Sequence, residues 1–453
     1  MDFLCKNCIS KNLQKHCKKR MPKNIITTEK ILEVEEKMEE TKAKKEIREK
    51  IESNIKQEEI NQKGRKKQRG ITLIALIITI IVLLILAGVT IATLTGENGI
   101  LTRTQEAKNK TEQAGEEELR KLTQVEAGTY LEDYEYIDNS TGEDRKIIIP
   151  AQCAVSQVEG ENTLKEGLVI IDVNGNEWVW IEVPKGVFTS ASNQSDYLNI
   201  ENDLKEYTKD YSNNKYNDIF YDESVTGLTE VEYNNLKNSM LSSIYEYNGF
   251  YVSRYEIGSN SYVNENDITR IPMSKKDLYP YNYVTCAQAQ EISARMNLES
   301  RTSNILFGIQ WDLILKFIEE KGALSKNNLI SDSTSWGNYF DSNYTLTHGM
   351  YNIFNQEASN LTDWITVKEP IKRDENWFLL STGALEQNKI LNIYDLAGNT
   401  WEYTLERSQN TSIPVTARGG CYNGSGKSIT ANSRLDVLTD KIVGSISFRT
   451  SLY

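Results

Sequence analysis

The chain has 453 residues, 26% charged, 39% hydrophobic and 9% aromatic, which excludes a disordered chain, a collagen-like repeat and a disulfide scaffold. At about 150 residues per domain, the length allows about three units. Charge is divided unevenly: residues 1–70 carry 20 Lys and Arg against 12 Asp and Glu, and the remainder carries 32 against 52. An acidic bulk of this kind repels nucleic acid, so no nucleic-acid partner is expected for the body.

Taken in chain order, the first feature is Cys5-x-x-Cys8 followed by His16-Cys17. Thiolate and imidazole ligands at such spacing suit a tetrahedral zinc site. The adjacency of His16 and Cys17 departs from the usual pattern, and free thiols kept reduced in a cytosolic compartment are the alternative. Only two histidines occur, His16 and His348, which excludes a multi-histidine metal enzyme. Residues 27–62 read as a charged helix, with Ile31, Val34, Met38, Ile47, Ile51 and Ile55 spaced by threes and fours without one sustained heptad register.

Residues 71–94 (ITLIALIITIIVLLILAGVTIATL) contain no charge in 24 positions. A helix needs roughly 20 apolar residues to cross the hydrocarbon layer, so this run is long enough. Arg65, Lys66, Lys67 and Arg69 precede it and an acidic half follows. By the positive-inside rule the N-terminus is cytoplasmic and the C-terminal body lies outside. The expected organisation is a basic cytoplasmic leader over 1–70, a membrane span over 71–95, and a helical stalk over 96–135. Within that stalk, residues 103–127 are rich in helix formers and opposite charges such as Glu117 and Lys121.

Lys66-Lys67-Gln68-Arg69-Gly70 followed by Ile71-Thr72-Leu73-Ile74-Ala75 resembles the start of a type IV prepilin. The resemblance implies a prepilin peptidase that cuts after Gly70 and methylates Ile71, pilin-like subunits as partners, and release of the body into a pilus. Two features depart from that family. Ala75 stands where most pilins have glutamate, and the leader is far longer than the usual few residues. A plain signal-anchor helix is the alternative.

The outer body, 140–453, begins with strand signals at 146–150, 167–171 and 177–183. Residues 190–245 form an acidic insertion rich in Asn, Asp, Ser and Tyr, read as surface loops with short helices. A strand at 249–256 and helices at 285–297 and 307–321 complete an α+β pattern. Gly249-Phe250-Tyr251-Val252-Ser253-Arg254-Tyr255-Glu256, Gln310-Trp311-Asp312, Asn392-Ile393-Tyr394-Asp395-Leu396-Ala397-Gly398-Asn399-Thr400-Trp401-Glu402, Arg418-Gly419-Gly420 and Ser447-Phe448-Arg449 occur in that order. Together they resemble the signatures of the formylglycine-generating-enzyme, or sulfatase-modifying-factor, family, whose fold is a variant of the C-type lectin fold.

Oxidase members of that family hold copper through two cysteines that follow the Arg-Gly-Gly signature. The matching positions here are Gly424 and Ile429, and Cys421 stands where the family has serine. The resemblance therefore implies a relative without copper and without catalysis: a membrane-anchored or pilus-associated surface protein presenting a lectin-like binding domain. A minor pilin with a structural role and an enzyme of unrecognised chemistry are the alternatives. Tyr422, Asn423, Ser425, Asn432, Arg434 and Asp436 are the candidate ligand-binding residues, since aromatics and amides suit stacking and hydrogen bonding to an extracellular glycan or peptide. The family's calcium motif, carried over by position, falls on the carboxylates of Asp395 and Glu402 and the carbonyls of Gly398 and Thr400, a donor mixture that suits calcium. Three outer cysteines, Cys153, Cys286 and Cys421, cannot all pair within one chain, so at least one is expected to be free or intermolecular.

Overall fold

Two short apolar segments lie side by side inside the largest sheet. Val169–Asp172 is buried at every position and Glu177–Glu182 at all but the last, the pattern of strands covered on both faces. Around them, in a computed structural model describing residues 100–453 except 141, 143, 356–359 and 374–375, six strands pair antiparallel. Their order is Ser303–Ile305, Thr450–Leu452, Gly249–Ser253, Glu177–Glu182, Val169–Asp172 and Cys153–Val155. The leader, the Gly70–Ile71 processing site, the cysteine and histidine ligands proposed for zinc, and the 71–95 span lie outside the described residues. Among the described residues no helix is long and apolar enough to cross a membrane.

The described chain is α+β. A second sheet orders Arg434–Val437, Val415–Arg418, Trp401–Ser408 and Ile446–Phe448, with Tyr216–Asn217 also paired to the long strand. Its Trp401–Tyr403 segment runs parallel to Ile446–Phe448. The chain leaves this sheet at Phe448 and enters the six-stranded sheet at Thr450. Arg449 is the single residue between them, and it is fully buried.

Helix starts follow capping chemistry. Thr285 and Gln288 form a capping box ahead of Cys286–Ser293, satisfying amide groups that the first turn leaves unpaired. Gly308–Glu320 buries Ile309, Trp311, Leu313, Ile314, Leu315, Phe317 and Ile318. Its first amides donate to the Asp218 carboxylate at 2.7 and 2.9 Å, placing an acid where the helix dipole favours one.

The insertion is more ordered than expected. It holds two substantial helices, Tyr197–Tyr207 and Glu230–Tyr247. Ile200, Leu204, Tyr233, Met240, Leu241 and Ile244 from these helices join the main core. Sparse apolar residues at helical spacing are enough to dock them, and the surrounding Asn and Ser hide that periodicity.

Ile100–Ala127 is one helix of 28 residues, and Glu117 and Lys121 pair across it at 3.3 Å. Its last turns are fixed to the body. Arg120 pairs with Glu161 and reaches Glu177 at 3.5 Å. Arg254, wholly buried, binds the same two carboxylates at 2.7 and 2.8 Å, and Gln124 donates to the Val173 carbonyl at 2.9 Å.

Candidate functional site

The signature segment 392–402 is an internal hub. Asn392, with φ of 65°, donates to the carbonyls of Gly160, Glu166 and Gly167. The Tyr394 ring stacks on Tyr255 at 5.0 Å. Gly398 adopts φ of +77°, and a Cβ there would lie 2.2 Å from the Asn338 carbonyl oxygen, so only glycine fits. Asn399 accepts from the Leu380 amide and donates to Glu256. Thr400 donates to Glu256 through both its amide and its hydroxyl.

The expected calcium ligands sit in this hub with partners of their own. The Asp395 carboxylate accepts the Gly383 amide at 2.7 Å and the Asn388 amide group at 3.4 Å. Both oxygens of Glu402 are held by Arg449, at 3.0 and 2.9 Å. Calcium at these positions would compete with that guanidinium for Glu402. Among the described residues no group of three or more His, Cys, Asp or Glu side chains is disposed to hold a metal. Burial acts on the carboxyls of the hub as well. Burial, with the neighbouring charges of Asp395 and Glu402, drives the Glu256 carboxyl well above its ordinary value. Burial lifts Glu402 to about 6 against the pull of Arg449.

A second buried network holds the other signatures. Arg418 pairs with Asp312 at 2.7 Å and with Glu406 at 3.2 Å, and Arg434 pairs with the same two acids at 3.1 and 3.0 Å. Arg434, expected to meet ligand, is thus a structural cation.

The remaining candidates also turn inward or hold loops. Tyr422 is 2% exposed and lies 6.0 Å from the Phe354 ring. The Asn423 side chain accepts from the Cys421 thiol at 2.8 Å. Ser425 donates to Asp341 at 2.6 Å, and the Asn432 side chain accepts from Arg418 at 3.3 Å. Asp436 lies on a strand opposite Thr416. Of the six, Tyr422 is buried and the other five are partly exposed. Cys153, Cys286 and Cys421 are all free and buried, and burial pushes the Cys421 thiol up to about 12, far from a reactive thiolate.

The concave surface lies elsewhere. A cleft of about 410 Å³ is lined by Tyr197, by one face of the helix Glu230–Tyr247, by Ser300 and Arg301, and by Tyr453. The helix contributes Asn235, Asn238, Ser239, Ser242 and Glu246, spaced by threes and fours and therefore on one side. Arg301 is neutralised by Asp133 at 2.7 Å and lies over the Tyr247 ring at 5.0 Å. Reading 190–245 as surface loops with short helices left this face unplaced. Its signal was the polar helical period running opposite Tyr233, Met240 and Ile244.

No family model and no curated protein matches this chain. Among solved structures, Treponema denticola variable protein 1 is similar at 13% identity over 70% of this chain and 98% of that one, with a TM-score of 0.21.

Proposed function

We propose that the chain is a membrane-anchored, non-catalytic binding protein. Residues 71–95 span the bilayer, the N-terminus is inside, and the body is presented outside on the helix that ends at Ala127. The supporting observation concerns the signature side chains able to do acid–base or nucleophilic work. Asp312, Glu402, Arg418 and Arg449 are engaged in buried ion pairs, Asp395 and Glu256 accept hydrogen bonds within the buried hub, and the Cys421 thiol is buried at about 12. The cleft, by contrast, offers mainly neutral hydroxyl and amide groups. This is a surface suited to recognition, because fold alone assigns no chemistry and the site must supply it. In this reading the sulfatase-modifying-factor resemblance describes a frame, and the oxidase chemistry of that family is not carried with it.

The full chain in intact cells provides the test. External protease should remove the body while a tag at Met1 stays protected, and the displayed body should bind glycans or peptides without turning them over. Protection of the body, or turnover of a bound compound, overturns the proposal. Mass spectrometry of the mature N-terminus separates the two anchoring modes: N-methylated Ile71 marks pilin-like processing, and an intact Met1 marks a signal anchor.

A second reading has one observation in its favour. Leu122, Val125 and Leu131 are 52%, 74% and 75% exposed, and apolar residues on a helix and its exit suit packing against pilin-like subunits, the minor-pilin role.

A further inference from the structure

The cleft on the helix Glu230–Tyr247 can be assigned a ligand class from its own chemistry. Its volume, about 410 Å³, falls within the range of small-molecule sites. Among the described residues, the side chains of Asn235, Asn238, Ser239 and Ser242 have no hydrogen-bond partner, so they remain available to a ligand. An amide group offers donors and an acceptor together, and a hydroxyl offers both in one atom. The complementary ligand is one whose own groups also donate and accept, as vicinal hydroxyls do.

Charge narrows the choice. Arg301 is committed to Asp133, which leaves Glu246 as the unmatched charge in the wall. An anionic ligand would meet repulsion there without a free cation to offset it. The aromatic walls narrow it again. Tyr197 and Tyr247 are half-buried at the rim, and a tyrosine ring presents a flat apolar face beside a polar tip. Tyr453 closes the wall, its hydroxyl donating to the Leu236 carbonyl at 3.1 Å. A peptide strand is disfavoured because strand addition needs an open backbone edge, whereas the main contributing wall is a helix whose amides and carbonyls bond within it.

We propose that this cleft binds a neutral carbohydrate, with Asn235, Asn238, Ser239 and Ser242 bonding its hydroxyls and Tyr197 covering its apolar ring face, since Arg301 already lies over the Tyr247 ring. The proposal rests on the reading of the body as a binding module and names the site and ligand class for it.

The test uses the full chain in detergent micelles on an array of neutral glycans, anionic glycans and peptides. Wild type is compared with Asn238→Ala and with Ser239→Trp, which fills the cleft from an exposed position. The expected result is retention of a neutral glycan, weakened about tenfold or more in both variants, with unchanged melting temperature. A neutral glycan held equally by wild type and Ser239→Trp overturns the cleft assignment and leaves the binding-module reading standing. Retention of anionic glycans alone, or of peptides alone, overturns the ligand class and likewise leaves that reading. Retention of nothing on the array overturns both.

Discussion

Arg449 shows what the signature residues do at the scale of one side chain. Its guanidinium is fully buried and donates to both oxygens of Glu402 and to the carbonyls of Ser253 and Tyr394. One cation thereby ties the six-stranded sheet to the five-stranded one. Breaking a buried pair from one side leaves a charge without compensation, at a cost of about 3–5 kcal/mol. Arg449→Met should therefore lower unfolding free energy by about that amount in urea titrations, and adding Glu402→Gln should recover part of the loss. Equal stability of the single variant and wild type would sink this account. The Asp395-to-Glu402 spacing was legible in the sequence, but the role of Glu402 was not. Its partner lies 47 residues further on, and spacing alone does not show that an arginine, and not a cation from solution, meets the carboxylate.

Among elements, legibility followed local chemistry. Helices expected at 285–297 and 307–321 appear as Cys286–Ser293, continued by a short 3-10 turn, and Gly308–Glu320. A capping box marks the first, and dense apolar residues mark the second. The strand expected at 177–183 appears as Glu177–Glu182 for the same reason, a continuous apolar run. The helix Glu230–Tyr247 was missed although it carries its own capping box: the Thr229 side chain accepts from the Glu232 amide, and the Glu232 carboxylate accepts from the Thr229 amide. Its polar composition outweighed those two residues in a reading by hydrophobic period. Because this helix forms the cleft floor, its start is worth testing. Thr229→Ala should cost about 1 kcal/mol, read as a lower denaturation midpoint with unchanged slope. No loss would mean that core packing alone sets the start of the helix.

The whole molecule responds to pH through buried groups, of which Asp218, Glu402 and His348 are shifted upward. Burial, aided by the charge of Glu406, raises Asp218 to about 6, and burial raises Glu402 to about 6. The folded state thus holds these protons longer than the unfolded state, and stability declines as pH rises through the interval from their ordinary values to about 6. For His348, burial opposes the charged ring, but the hydrogen bond to Asp277 and the Glu386 carboxylate 3.6 Å away outweigh it and raise its value above 6.5. That stabilisation is complete below 6.5 and fades as pH rises through the raised value. Carboxylates shifted downward, such as Glu161 and Glu201, contribute above their ordinary range and are lost only in stronger acid. Melting temperature should accordingly fall as pH rises from about 5 through 6.5, and scanning calorimetry showing a rise across that range would refute the assignment. The clamp of Arg120 and Arg254 on Glu161 and Glu177 also has a mechanical meaning. If the chain is anchored at 71–95 and takes a ligand in the cleft, as proposed above, a pull on that ligand would load the body in tension, and the load would leave through the helix ending at Ala127. In that case the clamp would carry the load as shear across ion pairs shared by helix and sheet, and the cleft would keep its bearing on the last helical turns while under strain.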